Sequence, residues 1–179
     1  MFSQITVLGK ITSNPTMGND GRGNPTCTFH LIVDAPTFTN HYNVSVRDAL
    51  AVKAGGFRPS DKIAVTGVVT QATAYVNADG EPTAAVAIAA NRAVRVDAGE
   101  ETYVQGIVVG NMGGDPEASI DENDGSFRVR CSIADGQKYT KPDGAKGERT
   151  TWYTVFVRGK QGEALSMHGA KGQGLAVVG

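Results

Sequence analysis

Between Thr150 and Lys160 the chain reads Thr-Thr-Trp-Tyr-Thr-Val-Phe-Val-Arg-Gly-Lys. The residue types alternate as they do in a β-strand, whose successive side chains point to opposite faces. Tyr153, Val155 and Val157 make an apolar face. Trp152, Thr154, Phe156 and Arg158 make the other, which holds the only Trp of the chain next to a Phe and a cation. A strand buried on both faces also carries aromatics, but Arg158 and the basic flanks favour a wet platform. Rings and cations on a wet face suit one chemistry above others. Nucleobases stack on such rings for ~1–3 kcal/mol each, and Lys or Arg side chains hold the phosphates.

The stretch before this strand supports the same reading. Residues 135–149 carry Lys138, Lys141, Lys146 and Arg149 against Asp135, Asp143 and Glu148, with Tyr139 among them. Arg158 and Lys160 bring the total to six cations and three anions. We read the segment as a Gly-containing loop that tracks phosphates and offers one stacking ring. A solvated loop is the plainer alternative. Upstream, residues 40–47 read Asn-His-Tyr-Asn-Val-Ser-Val-Arg, a weaker version of the same strand. There the wet face is His41, Asn43, Ser45 and Arg47. Phe57 reads as a hydrophobic anchor for its loop.

Catalytic and metal chemistry find little purchase. Asp115, Glu117, Asp121, Glu122 and Asp124 cluster without a base, and their spacing does not match a calcium loop. They read as a solvated hairpin. His30, His41 and His168 lie far apart with no zinc spacing. No nucleophile elbow, phosphate loop or pair of catalytic carboxylates is present. The expectation is a protein that is not an enzyme and needs no cofactor or metal. Two other classes stay open at this point: a small nuclease on an OB-like barrel, and a β-rich interaction or structural module.

Composition sets the frame. The chain has 179 residues, 40% of them hydrophobic, with 23 glycines and little helical periodicity, which points to an all-β class rich in turns. A net charge of −1 excludes a global basic field, so any nucleic-acid contact rests on local patches. Cys27 and Cys131 lie in apolar alternating segments and read as core thiols of a reducing compartment. No signal peptide, lipidation motif or membrane-length apolar run is seen, so the expected location is the cytoplasm.

The elements that position these residues appear twice. Strands are expected at Gln4 to Gly9, Cys27 to Val33 and His41 to Arg47. A short helix over Asp48 to Ala54 follows, then a strand from Lys62 to Thr70 with Val76 as its far limit, a turn at Asn77 to Gly80, and a strand from Thr83 to Val96. The pattern restarts at Val104 to Gly110, with a turn at Asn123 to Gly125, strands through Phe127 to Ile133 and Thr150 to Lys160, and a helix over Glu163 to His168. Gly9 and Gly110 lie 101 apart, Tyr42 and Tyr153 111 apart, and Val65 and Val177 112 apart. Offsets that drift slowly through the loops mark a tandem duplication. The modules are residues 1–96 and 102–179, joined by 97–101. The second lacks the counterpart of the long hairpin after Gly67.

Leu8-Gly9-Lys10, Asn14-Pro15, a Gly-rich hairpin and Thr28-Phe29-His30-Leu31-Ile32-Val33 resemble the N-terminal half of bacterial or phage-type single-stranded-DNA-binding proteins. Trp152 through Lys160 is similar to that family's third-strand motif, and Asp115-Pro116-Glu117 to its motif after strand one. The resemblance implies two tandem OB-fold barrels, five-stranded and Greek-key, the second incomplete. It implies sequence-independent binding of single-stranded DNA in replication, recombination or repair, a homodimer presenting four barrels, and a base-stacking role for Tyr75, whose other reading is cross-strand packing. Departures from the pattern are Arg47 and Arg158 where an aromatic is usual, His41 in place of the opening Trp, and no visible acidic tail for recruiting partner proteins.

Overall fold

The computed structural model describes residues 2–35, 38–76, 82–96, 99, 101–122, 124–141 and 143–179. The expected turn at Asn77 to Gly80, most of the 97–101 connection and Asn123 lie outside the described residues. Two compact units emerge, one of residues 4–106 and one of residues 1–3 with 107–179.

The first unit is a closed barrel. Its strands are β1 (Phe2–Ile11), β2 (Thr16–Asn19), β3 (Pro25–Ala35), β4 (Phe38–Arg47), β5 (Lys62–Val76) and β6 (Pro82–Val96), with helix α1 (Asp48–Ala54) between β4 and β5. Antiparallel pairs join β1 to β3, β3 to β4, β5 to β6 and β1 to β5. A parallel pair of β4 with β6 closes the circle, which is the Greek-key path of an OB-fold. Short β2 lies outside it, paired with β3.

Alternation in the sequence decides what this barrel encloses. Cys27, Phe29, Leu31 and Val33 of β3 are buried, as are Tyr42, Val44 and Val46 of β4, and Val7, Ile63, Val65 and Ile88 from the other strands. Helix α1 packs on β3 and β4 and buries Ala51 and Ala54. Phe57 does anchor its loop: its ring meets Phe29 edge-on at 5.7 Å and lies under Arg95 at 5.9 Å. The Gly-rich hairpin after Pro15 is tight: β2 pairs with β3 through Asn19↔Pro25, and only residues 20–24 lie between the strands.

The second unit repeats the path as far as it goes. It holds β7 (Tyr103–Met112, shared with the first unit), β8 (Glu117–Ile120), β9 (Phe127–Thr140), β10 (Lys146–Arg158), helix α2 (Gly159–His168) and β11 (Gly174–Val178). Strand β7 pairs with β9 and β11, and β9 pairs with β10 and β8. Among the described residues no pairing joins β10 to β11, so this sheet is open where the first unit is closed. Met112, Cys131 and Ile133 form its buried cluster, with Val108, Val155, Leu165, Leu175 and Val177 packed around them. The aligned glycines do the same job in both units. A Cβ on Gly9 would sit 2.8 Å from the Ile32 carbonyl oxygen, and one on Gly110 would overlap that of Ala134. Each lets the first strand cross close over the second.

Residues 135–149 are not a loop. Strands β9 and β10 run paired out to Thr140↔Lys146. The Lys141 amide donates to the Ala145 carbonyl at 2.8 Å, and Gly144 takes φ +84°, which closes the tip. Thirteen cross-strand pairs outweigh a composition that reads as loop. Lys160 is likewise not on the strand, because the strand stops at Arg158 and Gly159, at φ +61°, turns the chain into α2. No helix among the described residues is long and apolar enough to cross a membrane.

Candidate nucleic-acid interface

Strand β10 presents two faces. Trp152, Thr154, Phe156 and Arg158 are exposed, while Tyr153, Val155 and Val157 are half-buried over the core. Trp152 keeps 59% of its surface exposed and Phe156 56%, unusual for large rings on a regular strand. Register with β9 sets their neighbours: Trp152 lies opposite Ala134, Thr154 opposite Ser132, Phe156 opposite Arg130 and Arg158 opposite Arg128. Small residues flank the indole, and cations flank the Phe.

Arg128 and Arg130 did not figure among the candidate residues, yet they stand on this face. The signal was present in Phe127-Arg128-Val129-Arg130-Cys131, where burial of Val129 and Cys131 turns both arginines outward. The Arg128 guanidinium lies over the Phe156 ring, 5.6 Å from its centre. Such stacking favours a cation by ~0.5–1 kcal/mol at exposed sites.

The acidic hairpin beside the platform is not merely solvated. Asp121 is 5% exposed and accepts from Arg128 at 2.8 Å and from Arg158 at 3.2 Å. Asp124 lies 3.4 Å from the other Arg158 nitrogen, and Glu117 lies 3.2 Å from Arg130. Carboxylates thus occupy the guanidinium edges that a phosphate would use. Arg158 is thus paired with Asp121 and Asp124 in the free protein, and a phosphate would have to compete with both carboxylates for it. Asp115, by contrast, accepts from the Lys171 amide at 2.8 Å and steadies the loop before β11. Among the described residues, no group of three or more His, Cys, Asp or Glu could hold a metal ion.

The hairpin arm divides its residues between faces. Pleating puts Lys138, Lys146 and Glu148 on the Trp152 side, and Tyr139, Gly147 and Arg149 on the reverse. The Tyr139 ring lies across Gly147, and Arg149 donates to Gln137 Oε1 at 3.1 Å. Lys138, Tyr139 and Lys146 border one shallow cavity of about 520 Å³. Lys141, at the tip, is exposed. Asp135, counted above among the loop's anions, is buried and takes a 2.9 Å hydrogen bond from Gln137. It therefore offers no counter-charge to solvent.

In the first unit His41, Asn43, Ser45 and Arg47 are exposed on β4. Parallel pairing sets Ala85, Ala87 and Ala89 of β6 beside His41, Asn43 and Ser45. On β5, Thr73 pairs with Ala85 and Tyr75 with Thr83, so Tyr75 shares their sheet face. Its ring is 42% exposed. His30, opposite Asn43 on β3, is a further exposed member that the sequence reading left aside. This face is an alanine floor with imidazoles, amides and one phenol at its edges. Tyr42, one residue from His41, points inward, and burial raises its phenol above the ordinary value.

The closed barrel and the open second sheet define an all-β OB-fold protein, with exposed rings and cations on one strand face of the second unit. Among solved structures, the wild-type single-stranded DNA binding protein from Thermus aquaticus superposes with a TM-score of 0.66 at 21% identity, covering 99% of this chain and 83% of that one. A deletion variant of the same protein gives 0.67 at 21% identity, covering 99% and 84%. At that identity the likeness establishes the shared fold. No protein-family model matches the chain.

Proposed function

We propose that this protein binds single-stranded DNA without a defined sequence and without a chemical step. The observation that carries the reading is the pair of exposed rings, Trp152 and Phe156, on one strand face among Arg128, Arg130, Arg158 and Lys138. A ring on a regular strand gains nothing from water, whereas an unstacked base gains ~1–3 kcal/mol on it. Bases locked inside a duplex cannot reach such a ring, which makes the surface selective for single strands. The shared fold with proteins named for single-stranded DNA binding supports the same conclusion.

In this reading Trp152 and Phe156 stack on bases. Arg158, Lys160, Lys138, Lys141, Lys146 and Arg149 attract phosphates, with Arg128 and Arg130 added to them, and Tyr139 supplies an extra ring. His41, Asn43, Arg47 and Tyr75 form the corresponding surface of the first unit, poorer in rings and richer in hydrogen-bonding groups. We read the chain as two copies of one module, residues 1–96 and 102–179. It acts in the cytoplasm during replication, recombination or repair, as a homodimer that brings four such modules together. Light scattering over a range of concentrations tests the dimer.

Trp152 is the only Trp in the chain, so its emission reports on the proposed surface alone. Titration with a single-stranded oligonucleotide at low salt is expected to quench it to saturation, and a duplex of the same sequence to leave it nearly unchanged. No response to saturating single strands, or an equal response to duplex, overturns the proposal.

A further inference from the structure

The Trp152 indole has a seat. A Cβ placed on Gly113 would overlap Trp152 Cζ3 and sit 2.9 Å from Cη2 and 3.0 Å from Ser132 Oγ. The ring therefore rests against the backbone at Gly113, where any side chain would displace it. Backbone conformation does not explain this glycine, because Gly113 is absent from the residues at positive φ. Its amide donates to the Ser132 carbonyl at 2.9 Å, as any residue could. Space for the indole is what remains.

The first unit supplies an internal control. Thr12 there makes the hydrogen bond equivalent to that of Gly113, its amide donating to the His30 carbonyl at 3.2 Å. His41 pairs with Ile32 as Trp152 pairs with Ala134. The four positions are thus Thr12, His30, Ile32 and His41 in one unit, and Gly113, Ser132, Ala134 and Trp152 in the other. Where the third-strand ring is larger, each of its three neighbours is smaller. Core packing does not require that compensation, because the indole remains 59% exposed. A ring held against the backbone on one side and open to solvent on the other is already ordered for a planar ligand.

We propose that Gly113 is a positioning residue, whose missing side chain seats the Trp152 indole so that its outer face meets a nucleobase. This rests on the single-stranded DNA reading above. The test is Gly113→Ala in the full chain. Acrylamide quenching and emission anisotropy of Trp152 in the free protein are expected to show a more accessible and more mobile ring. Affinity for a single-stranded oligonucleotide is expected to fall about three- to tenfold, the worth of fixing one large side chain before binding. The melting temperature should change little, which separates positioning from general stability.

The reciprocal change keeps the proposal testable if Gly113→Ala fails to fold. In a Trp152→Phe background, His41→Trp alone should give a mobile indole. Adding Thr12→Gly, His30→Ser and Ile32→Ala should immobilise it. Unchanged ring mobility and affinity in Gly113→Ala, or an indole at position 41 indifferent to its neighbours, overturns the seat. Failure of wild-type Trp152 to respond to any single strand would instead overturn the binding reading. The free-protein measurements then still decide whether Gly113 holds the ring.

Discussion

Removing the two rings of β10 one at a time is the most direct way to weigh this surface. Trp152 and Phe156 are four residues apart on one face, about 13 Å along the strand at ~3.3 Å per residue. A single base cannot span that distance, so each ring serves its own base. Trp152→Ala is expected to lose ~1–3 kcal/mol of binding, a factor of about 5 to 150. Phe156→Ala should fall in the lower half of that range. Its ring is smaller, and the Arg128 guanidinium already covers part of it at 5.6 Å. Rings this far apart should contribute nearly additively, so the double variant should lose ~2–5 kcal/mol.

Folding should survive both changes, because more than half of each side chain faces water. The assay is fluorescence anisotropy of a labelled oligo-dT at two salt concentrations, with a labelled duplex as the control. Phe156→Ala keeps Trp152 as an internal reporter. The reasoning is refuted if neither variant weakens single-strand binding in a protein whose melting is unchanged. It is also refuted if both variants lose duplex and single-strand affinity equally, since a phosphate surface would do that and a stacking surface would not.

Arg158→Ala should weaken all single-stranded sequences alike and reduce the slope of log affinity against log salt by about 0.7, one phosphate contact. Asp124→Asn should act oppositely, tightening binding at low salt, because that carboxylate sits 3.4 Å from an Arg158 nitrogen; weaker binding would contradict a competition between this carboxylate and phosphate for Arg158. Burial raises both the Cys27 and Cys131 thiols, so neither should react with a thiol reagent at neutral pH until the protein unfolds, and rapid labelling of the native chain would show the cores misassigned. Ile133→Ala, at the fully buried centre of the small second-unit core, should cost about 2–5 kcal/mol by denaturant titration, and a loss under 1 kcal/mol would mean that core contributes little.

What could be read in advance was local. A period of two in Cys27 to Val33, Tyr42 to Val46 and Trp152 to Arg158 is enough to say which side chains turn inward, because a strand's geometry allows no other assignment. Helix α1 was legible for a similar reason: Asp48 to Ala54 is a run of good helix formers stopped by Gly55-Gly56. The repeated spacing of glycines and apolar runs made the second set of strands legible in the same way, since it kept their alternation in step with the first set.

Partners across the sheet were not legible, because they follow from register between distant strands. Arg128 and Arg130 join the ring face only once β9 is paired with β10, and Phe156 acquires a cation through that register. Arg158 looked free in the sequence, but Asp121 and Asp124 lie more than thirty residues away and reach it only when β8, β9 and the end of β10 come together. The arm from Asp135 to Arg149 looked like a loop because its composition is polar and Gly-containing. Long-range pairing, which composition does not record, made it a hairpin. The sequence alone determined that a Trp, a Phe and an Arg would share one wet strand face. Only the tertiary structure decided that this Arg is held by buried carboxylate and that the Trp lies where a glycine leaves it room, because both depend on which backbones pass within contact of each other.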